Sequence, residues 1–404
     1  MKYLNLLWLL LAPVVSADQL FTDSQPVAGT ALSATESVAT LVEVNQQLLT
    51  SRTAQFELSL PDGQLVTAVF DRLKQHGRQR FSWFGHLQGQ PEEQMIISAV
   101  NGAFAGSLFT KSVVYEFSPH SSGLMRVAAL QANAFPDCDG GLPVPAAMAA
   151  EHSHSAPRGT TDSFDVLVMY TPQARDAAGG TAGIQATAQA AVDAMNLSFT
   201  NSGVDAEGVL VWTQLADYND SANSSADLTW VRNDPQVAAL RNTVGADLVS
   251  LIAENIGNSC GRGYLMTNPG PGFASSAFQV TARSCAVGNL SFAHEFGHNL
   301  GLDHNPENST TPPANASFPW SFGHWHNGSY RTVLSYSSQC NNGCTRRPYF
   351  SNPDVLFNGL PTGVEDERDN ARSLEQTVPI AVDFRPRVPD LIFADGFELT
   401  GPDL

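Results

Sequence analysis

Residues 294–304 read His-Glu-Phe-Gly-His-Asn-Leu-Gly-Leu-Asp-His. His294 and His298 are four positions apart, so on a helix both imidazoles leave one face and can grip a single metal ion. Glu295 stands beside that pair, where a carboxylate can take a proton from an activated water. Gly301 lets the chain leave the helix through a left-handed turn that a side chain would penalise, and the reversal returns His304 as a third ligand. Three protein ligands and a water are the donor set of a hydrolytic zinc, whereas a structural zinc closes all four positions. Two histidines at this spacing would by themselves also suit a packed core. The glycine and the third histidine turn the reading toward zinc chemistry.

The full pattern resembles the long zinc signature of the metzincin metalloproteases, and residues 164–387 resemble the catalytic domain of a secreted bacterial reprolysin-like (adamalysin-like) member. The resemblance implies an α/β fold: a metzincin-type catalytic domain, with a mixed twisted sheet, long helices and the zinc helix at the cleft, preceded by a small β-rich prodomain. It implies one catalytic Zn2+ held by His294, His298 and His304, with Glu295 as general base toward peptide bonds of protein substrates. Metzincins carry a tight methionine turn beneath the metal. Here Thr332-Val333-Leu334-Ser335-Tyr336 occupies that place, and Leu334, close to methionine in volume and apolarity, replaces it. Tyr336 matches a tyrosine that in some metzincins donates to the reacting carbonyl, with simple packing in the turn as the alternative. Asn305 departs from the residue reprolysins carry after the third histidine. Residues 278–282 correspond to the edge strand that binds substrate in extended form.

The rest of the chain supplies the setting. Its 404 residues suggest two domains. Lys2, the apolar run over 4–15 and Val15-Ser16-Ala17 read as a secretory signal peptide over 1–17, which makes the expected product secreted and extracellular. Residues 55–117 alternate in the manner of strands and fall in a β-rich propeptide over 18–139. An Ala, Pro, Ser and Gly-rich stretch over 140–162 reads as a linker with a processing site, Arg158 being one candidate. Residues 163–387 form the catalytic domain, in which 164–170, 209–215 and 246–253 read as strands and 182–199 and 228–243 as helices. Residues 388–404 form a C-terminal tail.

Five cysteines fit an oxidising compartment. Cys260, Cys285, Cys340 and Cys344 allow three connectivities, and closeness in sequence favours Cys260 with Cys285 and Cys340 with Cys344. Cys138 is left over upstream of the catalytic region. A thiolate is a good zinc ligand, so Cys138 is a candidate for holding a precursor latent, against an incidental cysteine. His324 and His326, two apart, share no helix face and read as structural.

A formal charge of −18 argues against nucleic acid and anionic membranes as partners, and a monomer is expected. Asp and Asn are plentiful, but no loop has calcium-motif spacing, so a Ca2+ site is without support. The competing function is an exported non-catalytic binding or adhesion module that retains a structural zinc site. Glu295 beside an open metal position argues against it. A zinc peptidase with a glutamate third ligand would need His304 to face away, and Glu307 lies too near the helix to replace it.

Overall fold

The structure is a computed structural model that describes residues 18–144, 162–341 and 343–388. The expected leader, most of the linker with Arg158, and the tail beyond residue 388 lie outside the described residues. Among the described residues, no helix is long and apolar enough to cross a membrane.

Alternation builds the N-terminal half. Strands β1 (Phe21–Pro26), β2 (Glu36–Val44), β3 (Gln55–Ser59), β4 (Leu65–Gly77), β5 (Arg80–Leu87), β6 (Gln90–Val100), β7 (Ala103–Phe109), β8 (Val114–Pro119) and β9 (Met125–Leu130) pair antiparallel in the order β1-β2-β9-β8-β7-β6-β5-β4-β3. On β6, Met95, Ile97 and Ala99 enter a core with Phe56, Trp83 and Phe117, because successive side chains of a strand point to opposite faces. Ile96 and Val100 point the other way and join the core of the C-terminal half.

The C-terminal half is mixed α/β. Strands β10 (Leu142–Pro143), β11 (Asp162–Tyr170), β12 (Ala206–Leu215), β13 (Leu248–Ala253), β14 (Gly261–Leu265) and β15 (Phe278–Ala282) form a sheet in the order β10-β14-β15-β13-β11-β12. Strands β11, β12, β13 and β15 are mutually parallel, and β14 runs antiparallel to β15. Helices α1 (Thr181–Asn201), α2 (Ser224–Asn233), α3 (Pro235–Val244), α4 (Ser291–Asn299) and α5 (Asn370–Ala381) surround the sheet. A small sheet follows: β16 (Trp325–His326) pairs antiparallel with β17 (Tyr330–Arg331), and β17 pairs parallel with β18 (Thr345–Arg346).

Helix α1 is the joint between the halves. Every residue from Gly183 to Phe199 is buried, as in a helix with packing partners on all sides. One side lies on the central sheet and the other against β6 and β7, where its alanines let the strands come close. Its buried Asp193 accepts hydrogen bonds from Ser98 Oγ at 2.7 Å and from Ser82 Oγ across the joint. One hydrophobic core therefore runs from Phe84 and Phe109 through α1 to Phe164 and Val249.

Three sequence expectations change. The single helix over 228–243 is two helices, since Pro235 has no N–H to continue the ladder and drives Asp234 to an extended φ of −68° and ψ of 125°. Asp234 then caps α3 by accepting from the N–H groups of Gln236 and Val237. Residues 278–282 form a strand, but it is interior, paired on both sides, so it cannot receive a peptide along its edge. The edge of the central sheet is β14. Residues 142–143, expected in the linker, form β10 and cover that edge, with Leu142 opposite Tyr264. The bonded cysteines are Cys260 with Cys285 and Cys340 with Cys344, and Cys138 is free and buried.

Glu116 of β8 accepts from the Gly288 N–H at 2.9 Å across the joint, and burial pushes its carboxyl up to about 7. A carboxyl raised above its usual value favours the docked state fully at pH below about 4.5 and loses that contribution as pH rises through about 7. Release of the N-terminal sheet, followed by amide hydrogen exchange in β6–β8, should accelerate between pH 5 and 8. Glu116→Gln should flatten that dependence.

Candidate active site

Helix α4 lies beneath the edge of the central sheet and begins where Leu290 takes a left-handed φ of 58°. It ends at Gly301, whose φ of 83° reverses the chain. The N–H groups of Gly301 and Leu302 return to the carbonyls of His298 and Gly297 at 3.0 and 2.9 Å, which closes the helix and carries residues 302–304 back across it. Asn299 fixes the helix to the sheet by donating to the carbonyls of Tyr264 and Phe278.

The three histidines converge. Nε2 of His304 lies 3.1 Å from Nε2 of His294 and 3.1 Å from Nε2 of His298. Nδ1 of His294 donates to the Val333 carbonyl and Nδ1 of His298 to the Leu302 carbonyl, both at 2.8 Å. With Nδ1 committed as donor, Nε2 of each neutral ring carries a bare lone pair. Burial, the first cause, holds His294 and His304 well below the usual imidazole range, so the rings stay uncharged. Nitrogen donors converging in this way suit a shared cation. Tetrahedral zinc with nitrogen ligands at about 2.05 Å would separate them by about 3.3 Å, so the donor set fits zinc.

Glu295 is fully buried, and the Cys138 thiol lies against its carboxylate. Burial pushes its pKa up to about 8, against an opposing contribution from Cys138. Room for it comes from β14: a Cβ at Gly261 would lie 2.5 Å from Glu295 Oε1, and one at Gly263 2.8 Å from the Glu295 carbonyl.

The turn after the third histidine forms the floor. Leu334 is fully buried, and its Cδ2 would lie 2.8 Å from a Cβ at Gly297, so it packs directly beneath α4. Asn305 is also fully buried, and its Oδ1 accepts from the Tyr336 N–H at 3.0 Å, tying the His304 segment to this turn. The Tyr336 ring lies 4.1 Å from that of His304, and its hydroxyl donates to the Cys138 carbonyl at 2.5 Å.

Cys138 arrives from the N-terminal half. Its Sγ and the ligand atoms of His294 and Glu295 all lie within 4.8 Å of one another. Main-chain bonds hold the segment along β14, from the Asp139 N–H to the Gly261 carbonyl at 2.9 Å and from the Cys260 N–H to the Asp137 carbonyl at 3.4 Å. Arg262 reaches the Asp139 carboxylate at 3.4 Å, and Ser224 Oγ donates to it. His324 and His326 stay outside the cluster and pack against Tyr330. Sequence reading missed Asn305 as a tether, Arg262, and the buried pair Arg331 and Arg346. None of these carries a local spacing signal, because each depends on which segments meet in space.

Residues 160–351 match the model of metallo-peptidase family M12, in its reprolysin-type branch. This chain is a zinc metalloendopeptidase with an M12 catalytic domain. A peptidyl-Asp metalloendopeptidase from Stenotrophomonas maltophilia strain R551-3 is 28% identical over 93% of this chain and 94% of its own. One from Xanthomonas campestris pv. campestris is 34% identical over 57% of this chain and 54% of its own. The crystal structure of metalloproteinase-II from Bacteroides fragilis aligns with a TM-score of 0.41 at 10% identity, covering 68% of this chain and 89% of that one. The M12 domain thus contains the histidine cluster, Glu295 and Tyr336.

The space left by Gly261 gives a direct test. Gly261→Ala in the metallopeptidase should cost about 1–3 kcal/mol in thermal unfolding, the usual range for overpacking. It should also reduce turnover by more than tenfold, because the group it displaces is Glu295.

Proposed function

We propose that the chain is an exported proenzyme whose catalytic half hydrolyses peptide bonds beside aspartate in protein substrates. Convergence of the three histidine Nε2 atoms on one point beside the buried carboxylate of Glu295 carries this reading. The relatives' peptidyl-Asp name supports the choice of bond, and the apolar leader over 1–17 supports export.

His294, His298 and His304 hold the zinc, with the carbonyls of Val333 and Leu302 fixing two of the rings. Bound zinc polarises the scissile carbonyl and lowers the pKa of water. Glu295 takes the proton from the attacking water and later delivers it to the departing amine, from its place beside the histidine cluster. Tyr336 donates to the oxygen of the reacting carbonyl as charge develops there. Its present bond to the Cys138 carbonyl is the same kind of contact. Edge strand β14 offers main-chain groups to an extended peptide once β10 leaves.

Residues 18–139 serve as the propeptide. Cys138 would supply a thiolate ligand to the bound zinc and so exclude water, which would make the precursor latent. Its thiol is buried against Glu295 and Ser291.

Glu295→Gln should retain one zinc per chain by atomic absorption and lose about 10²–10⁴-fold in kcat on casein, the span general-base catalysis supplies. A chelator should abolish wild-type activity and added zinc restore it. Cys138→Ala precursor should hydrolyse casein before any cleavage of the chain, while wild-type precursor does not; equal latency in the two would remove Cys138 from this role.

A further inference from the structure

Beside the histidine cluster, two buried guanidiniums form no ion pair among the described residues. Arg331 and Arg346 stand opposite each other across the β17–β18 pair and are 2% and 3% exposed. Like charges at facing positions of neighbouring strands repel, and an uncompensated buried charge is costly. Among the described residues, no ion pair includes either one. Arg331 Nη1 donates to the Ser335 carbonyl at 2.7 Å, and Arg346 Nη1 to the Asn289 carbonyl at 2.8 Å and Ser291 Oγ at 3.5 Å. Nε of each is buried without a partner.

Their anchors border the reacting centre. Ser335 precedes Tyr336, and Ser291 Oγ lies 3.9 Å from Cys138 Sγ. A cavity of about 370 Å³ reaches Arg346 between Val114 and Phe135 of the N-terminal half and Gly288 and Asn289 of the catalytic half, so departure of the N-terminal sheet would open it as a cleft. The acidic groups acting on Arg331 in the present state are Asp137 and Cys138 of the covering segment, with Tyr336, and the Asp137 side chain remains exposed. Cys138 and Glu295 are acidic groups that feel Arg346, and neither arginine closes an ion pair with any of these groups in this state.

We propose that Arg331 and Arg346 form the subsite that receives the substrate's aspartate carboxylate next to the scissile bond. A planar guanidinium fork matches a carboxylate with two parallel hydrogen bonds. The arriving negative charge also relieves the repulsion between the two arginines. The inference rests on the aspartate-directed reading above and names the residues that enforce it.

The test uses the full chain expressed with zinc and matured by limited proteolysis, with peptides that carry Asp, Asn or Ala at a single position beside the cleaved bond. Wild type should prefer Asp to both. Arg331→Met and Arg346→Met, checked for native near-UV circular dichroism, should each lower the Asp-to-Ala ratio of kcat/KM by at least about tenfold, which is 1.4 kcal/mol of discrimination. Arg331→Lys and Arg346→Lys keep the charge and lose the fork, so they should lie between, and they decide the matter if the methionine variants do not fold. A wild type that prefers Asp together with arginine variants that keep the full ratio would overturn the subsite. So would a collapse of the ratio in Arg262→Met alone, which would move recognition to the Arg262–Ser224 rim. A wild type indifferent to Asp would instead defeat the aspartate-directed reading itself, and this inference with it.

Discussion

Three buried imidazoles converge with their Nε2 atoms on one point, an arrangement suited to a shared cation, and most of the C-terminal half serves to impose it. Two of the rings are oriented by backbone carbonyls, Val333 for His294 and Leu302 for His298. One of those carbonyls lies in the turn under the helix and the other in the reversal after Gly301. The third ring depends on that reversal and on Asn305, which ties its segment to Tyr336. The histidine cluster therefore links helix, reversal and turn, and a disturbance in any one reaches the other two.

The same economy governs Glu295. A carboxylate is expensive to bury, and this one is accommodated because β14 presents Gly261 and Gly263 where any side chain would intrude. Edge strand, acid and zinc helix are thus a single steric unit. The segment around Cys138 occupies the groove between them and satisfies the strand's outward main-chain groups through β10.

How much of this could be read from residues alone depended on range. The histidine helix, its glycine exit and the alanine-rich α1 were legible because helical spacing and turn chemistry are local. So were both disulfides, which join cysteines near in sequence. The break at Pro235 could have been read from the missing N–H, but the apolar spacing on either side masked it. The true edge strand was not legible: Gly261-Arg-Gly-Tyr-Leu has two glycines and little β-propensity, while the residues 278–282 look like a better strand because they are buried on both flanks. The opposition of Arg331 and Arg346 was equally hidden, since it depends on register between segments with no shared pattern. Proximity of Cys138 to the cluster was anticipated from its chemistry rather than from any spacing.

Helix α1 has no face that was made for water. With one side on the central sheet and the other on β6 and β7, it belongs to both halves at once, so the chain should collapse and order as one cooperative body. The N-terminal sheet is then a mould as well as a cover: the catalytic half synthesised alone would present a long stripe of alanine, threonine and glutamine, with a buried aspartate, to solvent. Severing the connection after folding would leave two pieces still gripping one another, and their parting would be a separate, slower event than the cut.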